Sequence, residues 1–278
     1  MPSTLNPTFS LHHLNQWRFA WVPTVLLVAF AAAYLFAQRG RDWPRSRTFC
    51  FLGGLLVTFL AVESVVAVFD RTYFADHMIQ HLLLIMVAAP LFALSAPLEL
   101  TYQVLNERGR AVLDGRVARA LTHPVVAFGL YAVFIPLTHL TSLFNLMLTH
   151  EAIHDVEHLG FLVVGYLFFR VAFGRERGVA LHPGLRLVFV MVAVPVDTFT
   201  GLALAMTSKN PFPAYRHLAP RGATATSILN DVHLGGAIMW IGGDALMLLA
   251  CVPIAVIWTR YETQRTRALD AELDAQGL

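Results

Sequence analysis

Hydrophobic runs divide this chain at short intervals. Seven of them approach the ~20 residues an α-helix needs to cross a bilayer. They predict spans at about Phe19–Gln38, Thr48–Phe69, His77–Leu98, His123–Leu140, His150–Phe173, Leu187–Met206 and Val232–Trp258. The fifth opens unlike the others. Its first nine residues read H-E-A-I-H-D-V-E-H, six of them ionisable, before the apolar run L-G-F-L-V-V-G-Y-L-F-F. The seventh carries Gly235-Gly236 and Gly242-Gly243, seven residues apart, which predicts close approach of a neighbouring helix on that face.

Composition agrees with the pattern. Of 278 residues, 56% are hydrophobic and only 14% are charged, against roughly 25% charged in soluble domains. The mean hydropathy is +0.59. The expectation is an all-α polytopic membrane protein, one helical bundle over residues 1–278, with a polar cytoplasmic tail from about residue 260. Met1 to Arg18 lacks the basic and apolar regions of a cleavable signal, so the first run reads as a retained span. The net charge of +2 says nothing about nucleic acid, but the basic residues fall between hydrophobic runs without aromatic interleaving, and no nucleic-acid partner is expected. Two cysteines, Cys50 and Cys251, with no C-x-x-C, form neither a disulfide framework nor a thiolate site.

The arginines orient the bundle. Those at 39, 41, 45 and 47 follow the first span, those at 108, 110, 116 and 119 the third, those at 170, 175, 177 and 186 the fifth, and those at 260, 265 and 267 the seventh. Only Arg18, Arg71, Lys209, Arg216 and Arg221 fall on the other side. Positive charge collects in cytoplasmic loops, so the N-terminus is expected outside and the C-terminus inside, with seven spans between.

The histidines show the opposite bias. His12, His13, His77, His81, His139, His150, His154, His158, His217 and His233 fall on the outer side or in the outer half, and His123 and His182 inside. His150, His154 and His158 form a stripe on one helix face, with Glu157 beside it. The outermost two lie ~12 Å apart along the axis, so one ion cannot take all three at the ~2.0–2.1 Å of an imidazole–metal bond. An adjacent pair can, with ligands from other helices. H-M-I-Q-H at the start of the third span supplies His77 and His81, again four apart and at the same depth. His139 and His233 are level with them. His77, His81, His154, His158, His139 and His233 are the predicted metal ligands, with Glu157, Asp231, Glu63 and Met78 as supporting residues. Imidazole with thioether suits copper, and imidazole alone suits zinc or iron as well. Asp197 and Asp244 lie deeper and read as hydrogen-bonded between helices.

The motifs H-M-I-Q-H-L-L-L, P-L-T-H-L, H-D-V-E-H-L-G-F-L and D-V-H-L-G-G-A-I-M-W together resemble the polytopic CtaG family of cytochrome c oxidase assembly factors. The resemblance runs from about the second span to the seventh. The family's H-M-x-Q-H falls on His77 to His81, its H-x-x-E-H on His154, Glu157 and His158, and its D-Q-x-L-x-G-x-I-M-W on Asp231 to Trp240. Thr138 stands where the family has tryptophan before His139, Val232 where it has glutamine, and Ser64 to Ala67 lacks the family's aspartate. The resemblance implies a bacterial plasma-membrane protein that supports metallation of haem–copper oxidase. It would hold copper at the outer face and pass it to an oxidase subunit or an extracytoplasmic copper chaperone, by ligand exchange rather than enzymatic catalysis. Two alternatives stay open: a membrane redox protein with haem between histidines, and a metal or proton transporter.

Overall fold

A computed structural model describes residues 15–178 and 181–276; His12 and His13 lie outside them. The described residues are helical and contain no strand. An apolar helix stands at each of the seven predicted positions. The first is α1, Trp21–Ala37, followed by α2, Arg45–Glu63, and the short α3, Val65–Phe69. Ser64 separates α2 from α3, taking an extended backbone conformation and accepting a hydrogen bond from Val66 N–H. The third position is α4, Phe74–Leu82, a π-helical turn, Leu83–Ala88, and α5, Ala89–Ser95, continued by α6, Pro97–Val104. The π turn has a local cause. Pro90 has no N–H and its ring collides with the carbonyl four residues back; widening the preceding turn relieves both.

Two short helices, α7 (Glu107–Leu113) and α8 (Arg116–Leu121), lead to α9, Pro124–Leu140, with a bend of 54° between them and α9. Then come α10, Leu143–Thr149, and α11, Glu151–Phe173. The charged nonapeptide is therefore continuous helix with its apolar run, His150 being the residue that precedes the first turn. α12 is Pro183–Ala205 and α13 the single turn Tyr215–Leu218. α14, Ala225–Ala237, passes through a second π turn, Ile238–Gly242, into α15, Gly243–Gln276, which carries the polar C-terminal segment as regular helix. His123 and His182, each before a proline, cap α9 and α12 by accepting from Val125 and Gly184 N–H.

Five helical stretches are long and apolar enough to cross a membrane, and a sixth if the bent α7–α8–α9 run is counted as one; α1, at 17 residues, is shorter. Large apolar side chains on their outer faces, such as Trp21, Val188, Phe199, Leu248 and Leu249, are exposed. A belt of that extent needs an apolar solvent, so this is a multi-pass membrane protein.

The main core gathers Phe74, Met78, Ile85, Phe144, Phe161, Phe168, Val190, Met239 and Ile254 from α4 through α15. A smaller cluster joins α1, α2 and α6, where Tyr34 stacks on Phe51 with ring centroids 3.8 Å apart. The glycine pair of α14 serves two contacts. A Cβ on Gly235 would meet Phe74 Cδ1 at 2.3 Å, and one on Gly236 would meet Ala205 N at 2.5 Å and Gly201 O at 2.7 Å. α14 thus lies backbone-close to α12 on one side and hard against α4 on the other.

Gly236→Ala is expected to destabilise the protein by ~1–3 kcal/mol through overpacking. Gly129→Ala in α9, where a Cβ meets nothing within 4 Å, is expected to be neutral or to stabilise by up to ~1 kcal/mol through helix propensity. Thermal unfolding of the two variants in detergent checks this ordering.

Candidate metal centre

Helix periodicity places His77 and His81 on one face of α4, and His154, Glu157 and His158 on one face of α11. The two faces meet. The rings of His77 and His154 stack with centroids 5.1 Å apart, and His77–His81 and His154–His158 are each 4.1 Å apart. The Glu157 carboxylate lies between the pairs, Oε2 at 3.8 Å from His77 Nε2 and Oε1 at 3.7 Å from His81 Nε2. One ligand atom from each of His77, His81, His154 and Glu157 lies within 4.8 Å of the other three. All four side chains are buried.

A second group adjoins the first. Asp70, His154 and His158 also bring three ligand atoms within 4.8 Å of one another, with Asp70 Oδ2 at 4.0 Å from His154 Nε2. Gln80 ties this group together. Its Nε2 donates to Asp70 Oδ2 at 3.1 Å and to the Ala61 carbonyl at 3.0 Å, and its Oε1 lies 2.9 Å from His158 Nε2. Asp70 sits in the turn between α3 and α4, where burial pushes its carboxyl up to about 7. A cation binding there would displace a proton.

His139 reaches the cluster from α9. Its Nε2 is 3.2 Å from His81 Nδ1, while its Nδ1 faces the Ile135 carbonyl at 2.8 Å. It stands behind His81 and fixes that ring, leaving His81 Nε2 turned toward Glu157. Aromatic side chains wall the site. Phe161 stacks on His81 at 3.9 Å, and Phe144 meets His77 edge-on at 4.8 Å, backed by Phe212.

Other residues expected near an ion are engaged elsewhere. His233 Nε2 is 2.8 Å from the Thr207 carbonyl. Glu63 accepts from Ala20 N–H at 2.8 Å and Thr24 Oγ1 at 2.7 Å, so it caps the start of α1. Asp231, on α14, accepts from Phe74 N–H at 2.5 Å and caps α4; it supports the centre by holding the helix that carries His77 and His81. Met78 is buried in the core beside Gly235. His150 is exposed at the start of α11. Glu157, expected to orient an imidazole from outside, lies inside the converging set instead. Asp70 and Gln80 are members that spacing alone did not single out. Gln80 is inside H-M-I-Q-H, but Asp70, seven residues before His77, lies in the turn that separates α3 from α4, so no continuous helix carries it onto the histidine face.

The cluster fits a metal ion. His77 Nε2, His81 Nε2, His154 Nε2 and both Glu157 oxygens are buried without a protein hydrogen-bond partner. Such atoms are costly unless something satisfies them. Two ligands at ~2.0–2.1 Å from one ion stand at most ~4.2 Å apart, and ligand atoms that all lie within 4.8 Å of one another are already close to that limit. Three imidazoles and a carboxylate suit copper, zinc or iron. Neither cysteine belongs to either group.

The fold and this cluster define a multi-pass helical membrane protein with a buried, histidine-rich centre near one end. Residues 27–261 match the family of cytochrome c oxidase caa3 assembly factors, Caa3_CtaG, and the chain belongs to that family. Uncharacterized proteins of Mycobacterium bovis and Mycobacterium tuberculosis are each 28% identical over 94% of this chain. One from Mycobacterium leprae is 27% identical over 92%. The chain spans about two-fifths of the length of these relatives, 41–42%. No solved structure matches it.

The Asp231 cap yields a stability test. Asp231→Asn keeps an acceptor for Phe74 N–H and is expected to unfold close to wild type. Asp231→Leu leaves that donor buried and unpaired, at a cost of ~1–3 kcal/mol. Chemical or thermal denaturation in detergent measures the difference.

Proposed function

We propose that this protein binds copper as cargo at the His77–His81–His154–Glu157 centre and supports metallation of a haem–copper cytochrome c oxidase. The observation that carries the reading is the convergence of buried, unpartnered ligand atoms from two helices. Membership of an oxidase assembly family supplies the recipient, and the donor set suits copper. The chain's own residues hold the ion, orient it and exclude water. Release is ligand exchange to an oxidase subunit or an extracytoplasmic chaperone. No bond of an organic substrate is made or broken.

The arginine asymmetry supports seven spans with the N-terminus outside and the C-terminus in the cytoplasm. That orientation puts the centre toward the outer face of a bacterial plasma membrane. The weakest element is α1, whose 17 residues reach ~25 Å, enough with flanking Trp17 and Phe19 in the interface. Haem is disfavoured because its ring needs a flat slot between two axial ligands, and here Glu157 and a third imidazole crowd the same point. A transport path is disfavoured because the deep acids have partners: Tyr131 Oη donates to Asp197, and Thr198 Oγ1 lies 2.9–3.0 Å from both oxygens of Asp244.

Two experiments test this. His154→Ala is expected to abolish copper retention on purification and to lower oxidase activity in cells, with the protein still in the membrane. Asp155→Asn changes the neighbouring but exposed acid and is expected to leave both unchanged. Full copper content and full oxidase activity in His154→Ala contradict the proposal. Separately, a reporter fused after Leu278 is expected to be active only in the cytoplasm; activity on the outer side removes the outer-face assignment.

A further inference from the structure

The two ligand groups share one residue. His154 belongs both to the set with His77, His81 and Glu157 and to the set with Asp70 and His158. Its Nε2 has no protein partner and lies 4.0 Å from Asp70 Oδ2. One imidazole nitrogen binds one ion at a time. Nε2 is the buried, unpartnered nitrogen of His154, and competition for it makes the two positions alternatives rather than a dinuclear pair.

Their surroundings differ in a directional way. The four-residue set is made wholly from helical side chains, with His77 fully buried. The other set takes Asp70 from the turn between α3 and α4, beside the partly exposed Arg71 to Tyr73, and His158 is its most exposed member at 9%. The hydrogen bonding differs as well. Nε2 of each inner histidine and both oxygens of Glu157 are unpartnered, whereas Gln80 already holds Asp70 and His158 in place. The turn position is thus shaped by hydrogen bonds before an ion arrives, and it offers fewer nitrogens. The inner position offers more ligands, and they have nothing else to bind.

We infer that His154 is the pivot of a two-position relay, in which a divalent metal ion first binds Asp70, His154 and His158 and then moves to His77, His81, His154 and Glu157. This rests on the reading of the cluster as a metal centre. The step is ligand exchange at constant oxidation state. The bonds to Asp70 and His158 break as those to His77, His81 and Glu157 form, and His154 stays bound throughout. Gln80 is placed to pair with Asp70 and His158 once they are vacated.

The test is Cu(II) titration of the purified full chain in detergent, read by paramagnetic resonance for the number of ligating nitrogens. Wild type is expected to bind one Cu(II), with more nitrogens than the turn position can supply. The His77→Ala/His81→Ala variant is expected to bind one Cu(II) still, with fewer nitrogens, and to lose it when Asp70→Asn is added. Asp70→Asn alone is expected to keep the wild-type spectrum but to load at least ~10-fold more slowly, the lower end of the effects seen when a metal-site partner is lost. His81→Gln, which keeps most of the side-chain volume, repeats the first variant with less risk to folding, and elution profile and helical content verify both. A folded inner-site variant that binds no Cu(II) overturns the relay, as does wild-type loading in Asp70→Asn. Two Cu(II) bound at once to wild type overturns the shared pivot. No binding by wild type contradicts the metal centre itself, and the relay with it.

Discussion

Inside a membrane bundle, water does not satisfy a polar atom that the protein leaves unpaired, and each such atom costs about 1–3 kcal/mol. His77, His81, His154 and Glu157 place five of them around one point. The neighbouring structure holds that arrangement in place. Asp231 fixes the first turn of α4, His139 turns the ring of His81, Gln80 braces Asp70 and His158, and Phe144 and Phe161 close the walls. A bundle selected for stability alone would fill this volume with apolar side chains. An ion that takes up the free lone pairs turns the same arrangement from a cost into a binding energy.

The same accounting of polar groups runs through the fold. Helix starts leave N–H groups with no partner of their own, and in an apolar solvent these must be met by protein. Glu63 meets one at the start of α1 and Asp231 one at the start of α4. Where helices touch most closely, glycine removes the side chain, as at Gly236 against Gly201. The π turn after α4 absorbs Pro90, more than two turns beyond His81, so the helix bearing the ligands continues without a break.

Much of this could be read from the sequence, and the exceptions have physical causes. Apolar run length located the helices because a membrane solvent demands it. Helix period paired His77 with His81 and His154 with His158, and these pairs meet in the structure. The period says which residues share a face but not how far a side chain reaches, so Glu157 was expected beside the set and lies within it. Asp70 was missed because a turn residue has no period. Glu63 and Asp231 were nominated as carboxylates near an ion, yet helix starts compete for the same oxygens and hold both. His233 is level with the cluster but faces the carbonyl of Thr207; depth along a span fixes height, not rotation.

The central claim is that four side chains from α4 and α11 converge in order to hold an ion. X-ray absorption at the copper edge, on protein purified from copper-supplemented membranes, tests this most directly. The account predicts nitrogen and oxygen scatterers near ~2 Å, with the outer-shell pattern of at least two imidazoles and no sulfur. That pattern should vanish in His154→Ala. Purified protein that carries no metal, or metal whose spectrum lacks imidazole, would contradict the account.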